Sequence, residues 1–331
     1  MQTRSPWLVI LAFAFSACAV FIPYRVGPAG DVRVVITPER VALGKKLAEG
    51  IMACGSCHTT GSYAGEPRQD MYLAGDMVIS ELEGAIYAPN ITPDRQTGIG
   101  AWTDGEIIRA ITKGVNRDNK QMVPLMPWPA FGASLTEQET HAIVAYLRTV
   151  PVPVNNPRQP NDLTGLTKVA MASGMVYNMF TKSPAFAEYE PRTDTPAQRG
   201  ERLAYLGNCV DCHNYTPKFP GMPKFGQPLA GGIYLRKPGG TFVMSDNLTP
   251  DVATGIGGFT DEQVFQAIKY GKRLRPLPDT EMVRWPMMAR IPHHVALTDD
   301  EIAELIVYLR AQPAVEHDIV QKEAELAEKN K

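Results

Sequence analysis

Apolar residues in this 331-residue chain recur at helical spacing in short runs, and the runs come in matched pairs. Val41, Leu43, Leu47 and Ala48 share one face of a helix predicted over 37–49, with Pro38 in its first turn. Leu203 and Ala204 mark its echo over 195–205. Four more helix starts carry capping boxes, in which a Thr hydroxyl and a Glu or Gln three residues on satisfy each other's free amides: Thr103 with Glu106, Thr136 with Glu139, Thr260 with Gln263, and Thr298 with Glu301. Behind them run Ile107, Ile108 and Ile111 against Val264, Phe265 and Ile268, then Ile143, Val144 and Leu147 against Leu305, Ile306 and Leu309. These stripes are predicted core. The first helix of each pair stops near Gly114 or Gly271; the second ends in Tyr146-Leu147-Arg148 or Tyr308-Leu309-Arg310, closed by Pro151 or Pro313. One helical unit is written twice, with loop insertions.

The rest of the chain frames the two units. Pro151 to Pro157 reads as an extended linker and 163–180 as a helix packed on one or both units. The charged stretch 320–331 reads as a helix or a frayed tail. At the start, Trp7 to Ile22 carries no charge, with Arg4 before it and Pro23 and Arg25 after. That segment fits a cleaved export signal or a retained anchor, with Ala17-x-Ala19 as a cleavage site, and Cys18 offers a lipid attachment point as a third option. In each case the folded part lies outside the cytoplasm. The expected boundaries are 1–30 for the signal or anchor, 31–150 and 195–315 for the units, 151–194 for the linker and 316–331 for the tail.

Composition narrows this picture only slightly. Hydrophobic residues make up 44% and charged residues 21%, enough apolar material for two modest cores. The formal charge of −2 excludes a strongly basic, nucleic-acid-binding character. The 28 Gly and 28 Pro suit short helices joined by turns around a flat cofactor.

The candidate chemistry also comes twice. Cys54-Gly55-Ser56-Cys57-His58 recurs as Cys209-Val210-Asp211-Cys212-His213. Two thiols three positions apart with an imidazole directly after match covalent c-type haem attachment, each sulfur adding to a porphyrin vinyl group while His58 or His213 ligates iron. A structural zinc site wants its second Cys pair roughly 15 to 20 residues on, and a thioredoxin-like pair has no use for that His. A disulfide across two residues makes a strained loop. The reading is therefore two covalent haems. After each motif comes a matched turn, Asn90-Ile91-Thr92-Pro93-Asp94 or Asn247-Leu248-Thr249-Pro250-Asp251, followed by Thr97-Gly98-Ile99-Gly100 or Thr254-Gly255-Ile256-Gly257. Polar side chains, Pro and Gly at fixed offsets predict a rigid loop along the haem edge.

A haem held by one His leaves a distal position. Met122-Val123-Pro124-Leu125-Met126-Pro127-Trp128 and Trp285-Pro286-Met287-Met288 lie between the paired helices, and aligning the copies on Thr136 and Thr298 sets Met126 opposite Met288. These two are the candidate distal iron ligands. Met122 and Met287 are the fallbacks, and His293 and His294 are rivals for the second haem. His141 reads as a helix-surface residue.

With these motifs in this order, the chain from Pro38 to Pro313 resembles the multi-haem cytochrome c subunits of membrane-bound periplasmic dehydrogenases, such as those of bacterial quinoprotein alcohol dehydrogenases. Such subunits commonly carry three haem motifs where this chain has two. The resemblance implies a mainly α fold of two tandem class I cytochrome c-like domains behind the N-terminal apolar export or anchor segment. Their first and last helices would cross at Gly44 and Gly200. It implies outer-sphere electron transfer on the periplasmic side of the inner membrane, from a dehydrogenase or membrane complex to a downstream cytochrome or oxidase. The rival expectation is a dihaem enzyme, peroxidase-like or oxidising small sulfur compounds, with one open haem.

Overall fold

Thr37 sits in extended backbone and its hydroxyl accepts a hydrogen bond from Arg40 N, which starts α1, Pro38–Glu49. The computed structural model describes residues 26–62, 66–80, 84–123, 125–149, 151–173, 193–214, 229–236, 242–277, 280–284 and 286–329. After α1 come α2 (Cys54–His58), strands β1 (Asp76–Ser80) and β2 (Gly84–Ala88), then α3 (Asp104–Lys113), α4 (Trp128–Ser134) and α5 (Glu137–Thr149). Strand β3 (Asp162–Leu163) and α6 (Gly165–Ala172) lead towards the second series. That series runs α7 (Pro196–Leu206), α8 (Cys209–Cys212), β4 (Tyr234–Arg236), β5 (Phe242–Met244), α9 (Asp261–Tyr270), β6 (Lys272–Leu277), β7 (Thr280–Met282), α10 (Met287–His294), α11 (Asp299–Arg310) and α12 (Ile319–Lys329). The fold is mainly helical.

All four predicted capping boxes close, and a fifth joins them at Thr195 and Gln198. Gly114 and Gly271 end α3 and α9 in the left-handed region, at φ 64° and 72°.

Helix α1 crosses α5 at Gly44, where a methyl group would run into Ala142 O and lie 2.8 Å from Tyr146 Cβ. Helix α7 crosses α11 at Gly200, where the same methyl would run into Glu304 O and lie 2.9 Å from Tyr308 Cβ. Both glycines stand where the implied crossings need them. Around these crossings Leu47, Ala48, Ile143, Val144 and Leu147, and in the second series Leu203, Ala204, Leu305, Ile306 and Leu309, are buried. Each buried Leu or Ile contributes about 2 kcal/mol. Leu43, predicted for the core face, is 38% exposed; the narrow stripe beside Gly44 fills that seam without it.

The linker 151–157 is no free tether. Val154 O accepts hydrogen bonds from Asn90 Nδ2 (2.6 Å) and Thr92 Oγ1, and Val154 N donates back to Thr92 Oγ1. Val315 holds the matching place on Asn247 and Thr249. Each closing segment straps its own Asn-x-Thr-Pro-Asp turn. The predicted helix over 163–180 is described as α6 alone, and 174–180 lie outside the described residues. Helix α12 is tied back rather than frayed: Glu323 accepts two bonds from Arg284 and one from Met244 N. His141 is only partly exposed and pairs with Glu137 one turn away. The apolar N-terminal run and Cys18 lie outside the described residues, and among the described residues no helix is long and apolar enough to cross a membrane.

Candidate functional site

Ala53 enters α2 at φ 48°, ψ 47°, and Asn208 enters α8 at φ 58°, ψ 23°. Left-handed backbone costs about 1 kcal/mol at Ala53, while Asn208, whose short amide tolerates that region, gives the second turn the same entry geometry with less strain. That geometry swings the chain so that each Cys pair starts a fresh helical turn. Cys54 and Cys57 lie three residues apart on α2, as Cys209 and Cys212 do on α8, and all four thiols are free of disulfides.

The imidazoles that follow are fixed from two sides. His58 Nδ1 lies 2.8 Å from Pro89 O and His213 Nδ1 lies 2.7 Å from Asp246 O. A carbonyl only accepts, so the proton is on Nδ1 and Nε2 keeps its lone pair, the form that ligates a metal. The main chain of each His is clamped as well: His58 O accepts from Gly75 N at 2.6 Å, and His213 O from Gly231 N at 2.7 Å. Burial holds both imidazoles below their ordinary pKa, favouring the neutral form. Burial likewise pushes Cys54 up to about 12, with Cys57 adding to it, and Cys212 up to about 12; Cys57 and Cys209 shift the same way.

These donors fit haem c attachment. Two unpaired thiols one turn apart stand next to an imidazole whose free lone pair is set by a hydrogen bond on its far nitrogen. Among the described residues no group of three or more His, Cys, Asp or Glu is placed to hold a metal ion, so the thiol pairs lack a structural zinc ligand set. Beside His213 the Asn214 amide is fully buried with neither Oδ1 nor Nδ2 partnered among the described residues. A polar edge of a bound group would relieve that cost.

The Asn-x-Thr-Pro-Asp turns, expected as rigid loops along a haem edge, lie against the two imidazoles. The carbonyl that holds each His belongs to the residue just before the Asn, and the Asn side chain makes that position rigid. Asn90 Oδ1 accepts from Thr92 N at 2.9 Å while its Nδ2 reaches Thr97 Oγ1 and Val154 O; Asn247 repeats this with Thr249, Thr254 and Val315.

A further pair went unread in the sequence. Leu73-Ala74-Gly75 and Leu229-Ala230-Gly231 are the same tripeptide, and it supplies the amide clamping each His carbonyl. Leu73 and Leu229 share φ 58° and 66°, and a Cβ on Gly75 or Gly231 would meet backbone carbonyls at 2.6 and 2.5 Å. The repeat itself was the available signal.

The candidate distal residues differ between copies. Met126 is partly buried against the core in the turn before α4, its carbonyl accepting from Trp128 N at 2.7 Å. Met288, in the first turn of α10, is 54% exposed, with the partly buried Met287 before it. Met122 is partly buried and its amide donates to Gly114 O at 2.7 Å. Both rival histidines are engaged through Nδ1: His294 is buried with Nδ1 3.0 Å from Ile268 O, and His293 reaches across to Glu49 O at 2.8 Å.

The two attachment turns abut. A Cβ on Gly207 would lie 3.0 Å from Ile51 Cδ1 and 3.4 Å from Cys209 Sγ, so Ile51, three residues before Cys54, packs at the second turn. Arg290 of α10 donates to Ile51 O at 3.1 Å, and Arg202 of α7 pairs with Glu139 and donates to Ser134 O.

Residues 41–151 match the family model for cytochrome c. The chain is 30% identical over 266 residues to the fructose dehydrogenase cytochrome subunit of Gluconobacter japonicus, covering 79% of this chain and 50% of that protein. It is 28% identical over 268 residues to the cytochrome c subunit of the quinone alcohol dehydrogenase of Gluconacetobacter polyoxogenes, covering 79% and 54%. To the diheme cytochrome c-type protein of Cereibacter sphaeroides it is 26% identical over 265 residues, covering 80% and 83%. The chain thus spans about half the length of the two dehydrogenase subunits.

Proposed function

Starting from residues 41–151 as a cytochrome c domain, with relatives named as cytochrome c subunits of dehydrogenases, we propose that the protein is a dihaem electron carrier. In this reading it is two tandem cytochrome c domains, takes electrons from a dehydrogenase or membrane complex, and passes them to a downstream cytochrome or oxidase. The work is done outside the cytoplasm, on the periplasmic side of the inner membrane, anchored or exported through the N-terminal segment.

The observation that carries the two-haem reading is the repeated cage: left-handed entry, free thiol pair, and an imidazole clamped through both Nδ1 and its own carbonyl. Haem supplies a one-electron couple when bound. The chain's own residues supply the rest. Cys54, Cys57, Cys209 and Cys212 fix the porphyrin, while His58 and His213 present neutral Nε2 to iron with the ring orientation fixed by Pro89 O and Asp246 O. Met126 and Met288 are the distal ligands in this reading; thioether ligation favours the reduced state and keeps the geometry alike in both states, which suits transfer without bond making. Abutting attachment turns support a short path from one site to the other.

A second reading, a dihaem enzyme with one open site, draws on one observation: Met288 is 54% exposed where Met126 packs against the core. One spectrum separates the two. The carrier reading expects the weak Met-sulfur-to-ferric-iron band at two equivalents per chain. Met126→Ala should remove one equivalent and Met288→Ala the other. A wild-type spectrum with one equivalent and a high-spin component rejects the closed pair in favour of the enzyme. Two equivalents of covalent haem per polypeptide by mass spectrometry is the prior check on both.

A further inference from the structure

Helix α10 belongs to the second series, yet its buried side works on the first. Arg290 Nη2 donates to Ile51 O across 239 positions of sequence, and one turn later His293 donates to Glu49 O and packs on Gly55, whose Cβ would lie 2.9 Å from the ring. Ile51 in turn touches the entry to the second attachment turn at Gly207, next to Cys209 Sγ. The guanidinium is therefore held on Ile51, the residue that lies three positions before Cys54 and packs against the entry to the second attachment turn. Among the described residues no carboxylate pairs with it, in contrast to Arg202, whose charge Glu139 neutralises.

We infer that Arg290 is a redox-tuning residue shared by the two haem sites: one cation pinned between the attachment turns, holding both midpoint potentials up. The inference rests on the two-haem reading. An oxidised haem carries one more positive charge than a reduced one, so a fixed cation nearby disfavours the oxidised state at each site. No bond is made or broken, and the residue acts through its charge while the hydrogen bond to Ile51 O sets where that charge sits.

Potentiometric titration of the intact, haem-loaded protein tests this. Arg290→Gln should lower both midpoints together, Arg290→Lys should leave both near the wild type, and the charge-neutral double variant Arg202→Gln with Glu139→Gln, which loosens the same pair of halves, should move neither. Unchanged midpoints in Arg290→Gln with full haem content overturn the inference. So does an equal fall in Arg290→Lys or in the double variant Arg202→Gln with Glu139→Gln, since it would trace the effect to packing rather than charge. If Arg290→Gln does not accumulate, wild-type midpoints in Arg290→Lys beside lowered ones in Arg290→Met decide the matter in the same way. Haem count is measured first: one haem in the wild type refutes the two-haem reading, whereas two haems with unmoved midpoints refute only the role of Arg290.

Discussion

In the first half Tyr146 Oη donates to Glu49 Oε1 at 2.6 Å and lies 3.3 Å from Tyr72 Oη; in the second, Tyr308 takes the matching place at its crossing glycine, and buried Tyr205 stands where the first half has Glu49. Trp128 covers Gly114 in the first half, and Ile291 with Val283 covers Gly271 in the second. Against these differences stands a hydrogen-bond skeleton repeated with the same atoms: the Leu-Ala-Gly clamp, the carbonyl on Nδ1, the Asn-x-Thr-Pro-Asp turn and its strap. What recurs is everything that fixes the two thiols and the imidazole. What differs is the packing around that frame. A relay of two haems at different potentials needs that division, since the attachment geometry is common to both and only the surroundings can separate them.

The helix crossings offer the hardest break. Gly44→Ala and Gly200→Ala each force a methyl group into a backbone carbonyl that cannot move without its helix. Overpacking of this kind costs about 3 kcal/mol. Both variants are expected to lose thermal stability by similar amounts, and a large disparity would show that the halves do not share one architecture.

Next come the closing arginines. Arg148 bonds Asp104 twice and caps Ile99 O and Trp102 O; Arg310 bonds Asp261 once through Nε and caps Ile256 O and Phe259 O. The carboxylates differ. Asp104 is 16% exposed and also accepts from Val34 N, whereas Asp261 is 73% exposed. Removing one partner of a buried pair strands the other. Arg148→Ala is expected to cost about 3 kcal/mol and Arg310→Ala about 1 kcal/mol, measured by denaturant unfolding.

Much of this was legible from spelling. Cap boxes act within four residues, so Thr103, Thr136, Thr260 and Thr298 announced their helices, and apolar spacing announced the faces that Ile143 and Leu305 bury. The Cys-x-x-Cys-His turns were legible because their chemistry is local too. The strands were not: β1–β2 and β4–β5 pair through backbone amides that residue type barely marks, and Gly84 and Ala85 of β2 also pair with β3. Nor could spacing place Arg290 on Ile51 or His293 on Glu49, because contacts spanning more than two hundred residues leave no periodic trace. The strap at Val154 hid for another reason. Its hydrogen bonds use backbone atoms, and Pro151 and Pro153 read equally well as a loose linker.

The smallest expected effect turns on one substitution between the copies. Asn156 N donates to Thr97 Oγ1 and its Nδ2 to Ala74 O at 2.9 Å; His317 N donates to Thr254 Oγ1 and its Nδ1 to Ala230 O at 2.8 Å. An amide and an imidazole thus do the same work, but only the imidazole titrates. Burial lowers the His317 pKa, the Ala230 carbonyl raises it, Lys322 lowers it and Asp318 raises it, with burial the largest. A His held neutral in the fold binds its proton more readily when unfolded. Its stabilisation is therefore complete above the unfolded value of about 6.5 and is lost as pH falls below it. Thermal melting between about pH 7 and pH 5 should consequently fall more in the wild type than in His317→Asn, which gives the second strap the residue of the first. Equal losses in the two proteins would locate the acid sensitivity elsewhere, with the deeply buried His294 the next group to substitute.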